Sequence, residues 1–470
     1  MERRWKVLIA VSVAVFMVSL DLFIVNIAFP AIKEDFAGSS NASLSWILTS
    51  YAIVFSALLI PSGRLADRIG RRRVFLTGLA VFLIGSALCG AAPSVETLIA
   101  ARVVQAIGAA MLLPTSLALL IPEFPPAQRA AAIGIWAAVG GVAAAFGPPV
   151  GGLLVQASWR WVFFVNIPIG LVVGRYAMTI LHESRDERPE PLPDWVGVGL
   201  LIASVAVLSL GLVKAPEWGW LDARTLGALT GSAVGLVWFW QRCATQRYPV
   251  VDLSMLKVRS FAMANVSSLL FSVAFAAMLL SSILFLTGVW HYSITRAGFA
   301  LAPGPALAAT FAGLGGRWAN RVGQRYLIAL GGVLFAVAMA WRFTFTATPE
   351  YVTRFLPGMI LSGIGVGLVL PSVASAATAS LPPERFATGS AVVNMARQLG
   401  FVLGVSVLVA VFGNPAPQDV LNRFDDVWTF MVIAPLLAAG AGLGIGRVAQ
   451  NRPAARPAPA VSDGPLAEVA

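Results

Sequence analysis

Asp21 is the one acidic residue set deep inside an apolar run, in Leu20-Asp-Leu-Phe-Ile-Val-Asn-Ile-Ala-Phe-Pro30. An ionised carboxylate there costs about 2.5–3.5 kcal/mol on insertion scales, so it must be paired or protonated. Burial raises a carboxylate's pKa and a nearby arginine lowers it, so a group balanced between the two can exchange protons near neutrality. A structural Asp bonded to a neighbouring helix is the plain alternative; the residue's solitude favours the proton role. Arg102 lies about one turn into another apolar run, with Gln105 at i+3 on its face and the small Ala106 and Ala109 beside them. Such an arginine can also snorkel to the interface. Arg397, with Asn394 before it and Gln398 after it, is the comparable cation of the second half, either a substrate contact or a lock between helices. Asn26, Gln105, Asn394, Arg397 and Gln398 are taken as the polar lining of a substrate cavity.

A charged stretch, Gly63-Arg-Leu-Ala-Asp-Arg-Ile-Gly-Arg-Arg-Arg73, recurs 253 residues later as Gly316-Arg-Trp-Ala-Asn-Arg-Val-Gly-Gln-Arg325. It reads as a loop between two spans. Topology explains its arginines but not Asp67 with Gly63 and Gly70 around it. A carboxylate there can cap a helix N-terminus or pair with an arginine across a domain interface. Asn320 replaces Asp67 in the second copy, so the halves are not equivalent. The repeat extends to Ala106–Ser116 and Gly363–Val373, offset by 257, which makes the chain two related halves.

Composition sets the class that positions these residues. The chain is 58% hydrophobic and 12% charged, with mean hydropathy +0.81, whereas a soluble domain carries roughly 25% charged residues. It reads as an all-α polytopic membrane protein with fourteen spans between residues 7 and 446, each near the ~20 residues a tilted helix needs. Cys89, Cys243, His182 and His291 are scattered, which gives no metal or redox pattern. No phosphate-binding G-x-x-x-x-G-K-[ST] motif is present, so an ATP-driven pump would need another subunit. The net charge of +11 would point to nucleic acid in a soluble protein; here its distribution matters more.

Taking the loops on one side together collects 22 of the 33 basic residues, against 8 opposite, Arg342 among them. That asymmetry puts both termini in the cytoplasm. The expected organisation is a six-helix bundle over 1–181, a linker and inserted helix pair over 182–260, a second six-helix bundle over 261–446, and a disordered cytoplasmic tail over 447–470.

With these motifs in this order, the chain resembles the fourteen-helix drug:proton antiporter family (EmrB/QacA-type exporters) of the major facilitator superfamily. The segment around Asp21 resembles the family's first-helix signature, and Arg102-Val-Val-Gln-Ala-Ile-Gly-Ala-Ala110 its fourth-helix motif. Gly134 through Gly147-Pro-Pro-Val-Gly-Gly152 resembles the fifth-helix antiporter motif; Trp159–Phe163, Asn166–Gly170 and Asp194–Gly197 resemble signatures at the sixth and seventh helices. The resemblance implies two six-helix bundles with two additional central helices. It also implies that Arg102 pairs with Asp21 in proton coupling, and that Gly63, Asp67, Arg68, Gly70 and Arg71 form a latch stabilising the outward-open state. Pro148 and Pro149 remove amide donors and bend a helix, while Gly147, Gly151 and Gly152 flatten it; such faces are often packing surfaces only. The resemblance moves the reading toward a hinge and seal between the halves, and toward export.

The function expected is a proton-coupled exporter of amphipathic or lipophilic drug-like compounds, a self-made antibiotic among them. It works by alternating access in the cytoplasmic membrane, as a monomer, with the proton gradient as its energy source and no cofactor, metal or nucleic acid. A facilitator or importer of one metabolite is the alternative, and a membrane-embedded enzyme a distant third. With one deep acid against two arginines, neutral or anionic amphiphiles fit at least as well as cations.

Overall fold

The computed structural model describes residues 2–186, 191–382, 385–413 and 415–446; the tail expected over 447–470 lies outside them, as does the side chain of Asn320. The first six long helices are α1 (Arg3–Asp35), α2 (Asn41–Ile69), α3 (Arg71–Gly90), α4 (Val95–Leu120), α5 (Pro126–Ala157) and α6 (Asn166–Ile180). A hairpin follows, α7 (Trp195–Trp218) and α8 (Ala223–Thr245). The remaining six are α9 (Arg259–Gly288), α10 (Pro303–Val322, entered through the short helix Ile294–Leu301), α11 (Gln324–Ala340), α12 (Leu356–Ala379), α13 (Phe386–Phe412) and α14 (Val420–Leu443).

The apolar runs become helices because hydrocarbon offers no partner to a bare peptide group. Their ends are marked by side-chain caps: Ser40 starts α2, Ser94 and Thr97 close a capping box on α4, and Asp194 and Asp222 cap α7 and α8. Among the described residues, thirteen helices are long and apolar enough to cross a membrane, and α8 falls short. It nevertheless runs antiparallel along α7, tied by Ser232 Oγ to Ser204 O at 2.8 Å and by Arg242 to Asp194 at 2.6 Å. That ion pair holds the Asp194 carboxyl below its ordinary value. Ile84, Leu88, Leu171, Val172, Val234, Leu436 and Leu437 lie exposed on the outside, where lipid is their solvent.

The two halves repeat in packing as well as in sequence. In the first half α2 packs on α4, α3 on α4 and α1 on α5; in the second, α10 on α12, α11 on α12 and α9 on α13. A Cβ on Gly78 of α3 would lie 3.1 Å from Gly108 O of α4, and one on Gly331 of α11 2.8 Å from Gly365 O of α12. Between the bundles α2 meets α13 and α5 meets α10, so the second helix of each half faces the fifth of the other. The hairpin leans on α13 and α2, with Ser209 and Ser406 hydroxyls 2.7 Å apart.

The stretch at 63–73 is helical where a loop was expected. α2 continues through Gly63, Asp67 and Arg68 to Ile69, Gly70 breaks the chain at φ 124°, and α3 starts at Arg71. Gly323 does the same between α10 and α11 at φ 96°. One glycine at positive φ reverses the chain while the helices keep their own hydrogen bonds up to the turn. Asp67 neither caps α3 nor crosses to the other bundle here; it pairs with Arg71 at 2.8 Å. The cap is Glu183, whose carboxylate accepts from Arg72 N and Arg73 N at 3.1 and 3.2 Å. Nothing local in the sequence marks that contact.

A side chain at Gly70 must bear both the positive φ and a Cβ 2.5 Å from the Glu183 carboxylate, whereas Gly323 has open space. Gly323→Ala is expected to cost about 1 kcal/mol from backbone strain alone. Gly70→Ala should lower the thermal unfolding midpoint of the purified protein clearly further; equal shifts would mean the Glu183 cap yields freely.

Candidate functional site

Asp21 on α1 and Arg102 on α4 meet in the interior of the first bundle, each about 1% exposed. Arg102 Nη1 donates to Asp21 Oδ2 at 2.5 Å and to Gln105 Oε1 at 2.7 Å, and its Nε donates to the Ile47 carbonyl of α2 at 3.1 Å. Gln105 Nε2 donates to the other oxygen, Asp21 Oδ1, at 2.8 Å. The guanidinium also stacks 4.1 Å from the Tyr51 ring centroid. Both charges are therefore paired and hydrogen-bonded, the condition under which burying them is tolerated.

A second ring of polar groups fixes this pair. Ser86 of α3 stands 3.3 Å from Gln105 Nε2, receives Asn166 Nδ2 of α6 at 3.0 Å, and donates to Phe163 O at 2.7 Å. A Cβ on Gly85 would lie 2.5 Å from Gln105 N, so glycine there lets Gln105 reach the pair. Sequence reasoning grouped Gln105 with the substrate cavity; the structure places it in the ion-pair network. Tyr51, Ser86 and the Ile47 carbonyl went unnoticed, because a tyrosine, a serine and a peptide group carry no signal of their own.

Between the bundles lies a narrow, mostly apolar cavity. Phe23, Asn26 and Ile27 of α1, Pro148 of α5, Phe275, Met278 and Ser282 of α9, and Met359 and Ser362 of α12 form its walls. An adjoining recess is lined by Asn26, Thr49 and Arg102 with Phe401 and Val405 of α13. Asn26 thus borders both, and Arg102 connects the ion pair to the space between the bundles. Asn394 turns its amide to Ser390 O at 2.9 Å, Gln398 is buried with Nε2 unpartnered, and Arg397 is partly buried. None of these three is among the side chains forming the cavity walls.

The fifth-helix glycines divide between two neighbours. Gly147 and Gly151 face α1 within the same bundle, where an added Cβ would meet Phe23 Cβ at 2.6 Å and Ile24 Cγ1 at 3.1 Å. Gly152 faces the other bundle, 2.9 Å from Thr295 Cα by the same measure, and Gly298 would strike Pro148 O at 2.3 Å. Gly134 has nothing within 4 Å. The seam is closed on the face opposite the chain ends: Thr295 Oγ1 donates to Gly152 O at 2.8 Å, Gln156 Nε2 to Thr295 Oγ1 at 2.9 Å, and Asn41 Nδ2 to Gly413 O at 3.3 Å.

Comparison with known proteins agrees with this architecture. The family profile described as Major Facilitator Superfamily matches residues 11–405. The chain is 34% identical over 409 residues to "Multidrug resistance protein Stp" of Mycobacterium tuberculosis, covering 86% of this chain and 75% of that protein. It is 34% identical over 427 residues to the "Tetracenomycin C resistance and export protein" of Streptomyces glaucescens, covering 91% and 78%. A crystal structure of a bacterial homolog of the human lysosomal transporter Spinster, inward-facing and unoccupied, superposes with TM-score 0.68 over 95% of this chain and 97% of the other at 17% identity, a likeness of fold.

Removing one member of a buried pair strands the other, at a cost of roughly 3–5 kcal/mol. Arg102→Met should therefore lower the unfolding midpoint sharply, and Asp21→Asn in the same chain should recover part of the loss. Simple additivity of the two losses in a double-mutant cycle would show that the pair is not coupled.

Proposed function

The chain belongs to the major facilitator superfamily and is a multi-pass membrane transporter, not an enzyme; from that premise we propose that it is a proton-coupled exporter of drug-like amphipathic compounds. The observation that carries the proposal is the buried Asp21–Arg102 pair, whose arginine lines a recess that shares Asn26 with an apolar cavity between two related bundles. An apolar wall suits a lipophilic body, and the relatives' names refer to multidrug resistance and to antibiotic export.

The coupling follows from electrostatics. A proton on Asp21 cancels the charge that holds Nη1 of Arg102, leaving the guanidinium with Gln105, Ile47 O and Tyr51. The buried cation is then under-compensated, so the arrangement of α1, α2 and α4 must change. Proton uptake and the change of access are thereby one event, and substrate leaves on the side where the proton enters. The seam of Gly152, Thr295, Gly298 and Pro148 is the gate that opens. Asp67, paired here with Arg71 inside the first bundle, is released in the other state to latch the opposite face across the bundles, in the stretch that holds Gly63, Arg68 and Gly70. In this reading both termini lie in the cytoplasm and one chain suffices.

Two outcomes test it. Asp21→Asn strands Arg102 and should be less stable; per inserted molecule in proteoliposomes it should lose substrate-induced proton flux, and gradient-driven export persisting in that variant would remove Asp21 from the coupling. Gly298→Leu places a branched side chain against Pro148 O. Overpacking typically costs about 1–3 kcal/mol, enough to change a two-state balance tenfold or so. Transport should fall at least that far with insertion unchanged, and full transport would show that this seam need not close.

A further inference from the structure

The second bundle holds a buried cation for which the proton pair has no use. Arg342, in the turn Trp341–Thr344 that ends α11, is 3% exposed. Its Nη2 donates to Ser282 Oγ of α9 at 2.8 Å, and Ser282 in turn donates to Met278 O at 2.6 Å. Ser282 and Met278 are walls of the central cavity and Arg342 is not, so the guanidinium lies one side chain behind that wall. Its Nη1 is buried without a partner among the described residues.

The surroundings make this arginine unlike Arg102. Among the described residues no carboxylate pairs with it; Glu350 is taken by Arg354 at 3.0 Å and Asp426 by Arg423 at 3.3 Å. Its other neighbours are aromatic: the guanidinium carbon lies 5.9 Å from the Phe345 centroid, and Phe345 packs on Trp428 at 5.5 Å and on Phe285 at 5.3 Å. Trp428 Nε1, on that same ring cluster, is also buried without an acceptor. The unpartnered Nη1 and the positive charge thus sit beside an aromatic cluster, with no anion among the described residues paired to them. A guanidinium in such a place is satisfied by an acceptor oxygen bearing negative charge, which its planar fork recognises better than any neutral group.

We propose that Arg342, presented at the cavity wall by Ser282, is a binding subsite for a carboxylate or similarly acidic group on the transported compound. This deepens the export reading and rests on it: the apolar walls take the lipophilic body, and Arg342 selects amphiphiles that carry a negative charge over their neutral isosteres. The absence of a built-in counter-charge then has a function, because an internal carboxylate would compete with the substrate's own.

The test is an equilibrium titration of the purified full-length protein in detergent, read by quenching of tryptophan fluorescence. The probes are pyrenebutyrate and its methyl ester, which share the ring and differ in the charge. Comparing the ratio of their affinities between variants cancels partitioning into detergent. Wild type should favour the carboxylate, and Arg342→Gln should lower that preference about tenfold or more while leaving the ester's affinity unchanged. Arg342→Lys keeps the charge and loses the fork, so its preference should fall only several-fold; it carries the test if the glutamine variant does not fold. No preference in wild type, a preference unchanged in both variants, or an equal loss for both probes would overturn the proposal. The titration needs no gradient, so failure of proton-driven transport would fell the export reading while leaving this one separately decided.

Discussion

Two opposite charges sealed away from water constrain everything around them. Either Asp21 or Arg102 alone would be costly at this depth, so the pairing favours α1 and α4 meeting at one height. The leftover hydrogen-bonding capacity of the pair then recruits the Ile47 carbonyl from α2 and Gln105 from one turn along α4. Gln105 can occupy its place only because Gly85 of α3 has no side chain, and Ser86 beside it brings in Asn166 of α6. A single ion pair thus sets the mutual position of five helices.

How much of this was legible depended on how local each signal is. Asp21 stood out because one acid in an apolar run is unmistakable, and the two-half architecture because a spacing of 253 residues brings Gly70 onto Gly323. Both glycines prove to be the chain reversals, at φ 124° and 96°. Asp67 was harder: its type and position admit a cap or a pairing, and the structure gives the cap to Glu183, which only the folding of the linker against α3 brings near. Arg342 counted as a loop residue because it follows the last apolar turn of α11. Its burial comes from Phe285, Phe345 and Trp428 on other elements, which no window of sequence displays.

The halves have diverged most where charge is concerned. The first encloses a neutralised pair; the second encloses Arg342 with no acid beside it and carries Arg397 partly buried. The shared backbone plan, with helix two of each half against helix five of the other, tolerates that divergence because the seams are lined mainly by small and apolar groups.

The Gly78–Gly108 and Gly331–Gly365 contacts leave no room for a methyl group, so α3 and α4, like α11 and α12, cannot slip past one another without parting backbones. Those pairs stiffen their bundles, and the seams between the bundles are the softer places. In the proposed mechanism a change at Asp21 is passed on as tilt. The 33 residues of α1 form a rod of about 50 Å at 1.5 Å per residue, so a tilt of about ten degrees around its middle carries each end roughly 4 Å. The ion pair lies near the fulcrum and the membrane faces lie at the ends of the arm. In the proposed mechanism, that lever is what turns the loss of one charge into a displacement large enough to admit a molecule.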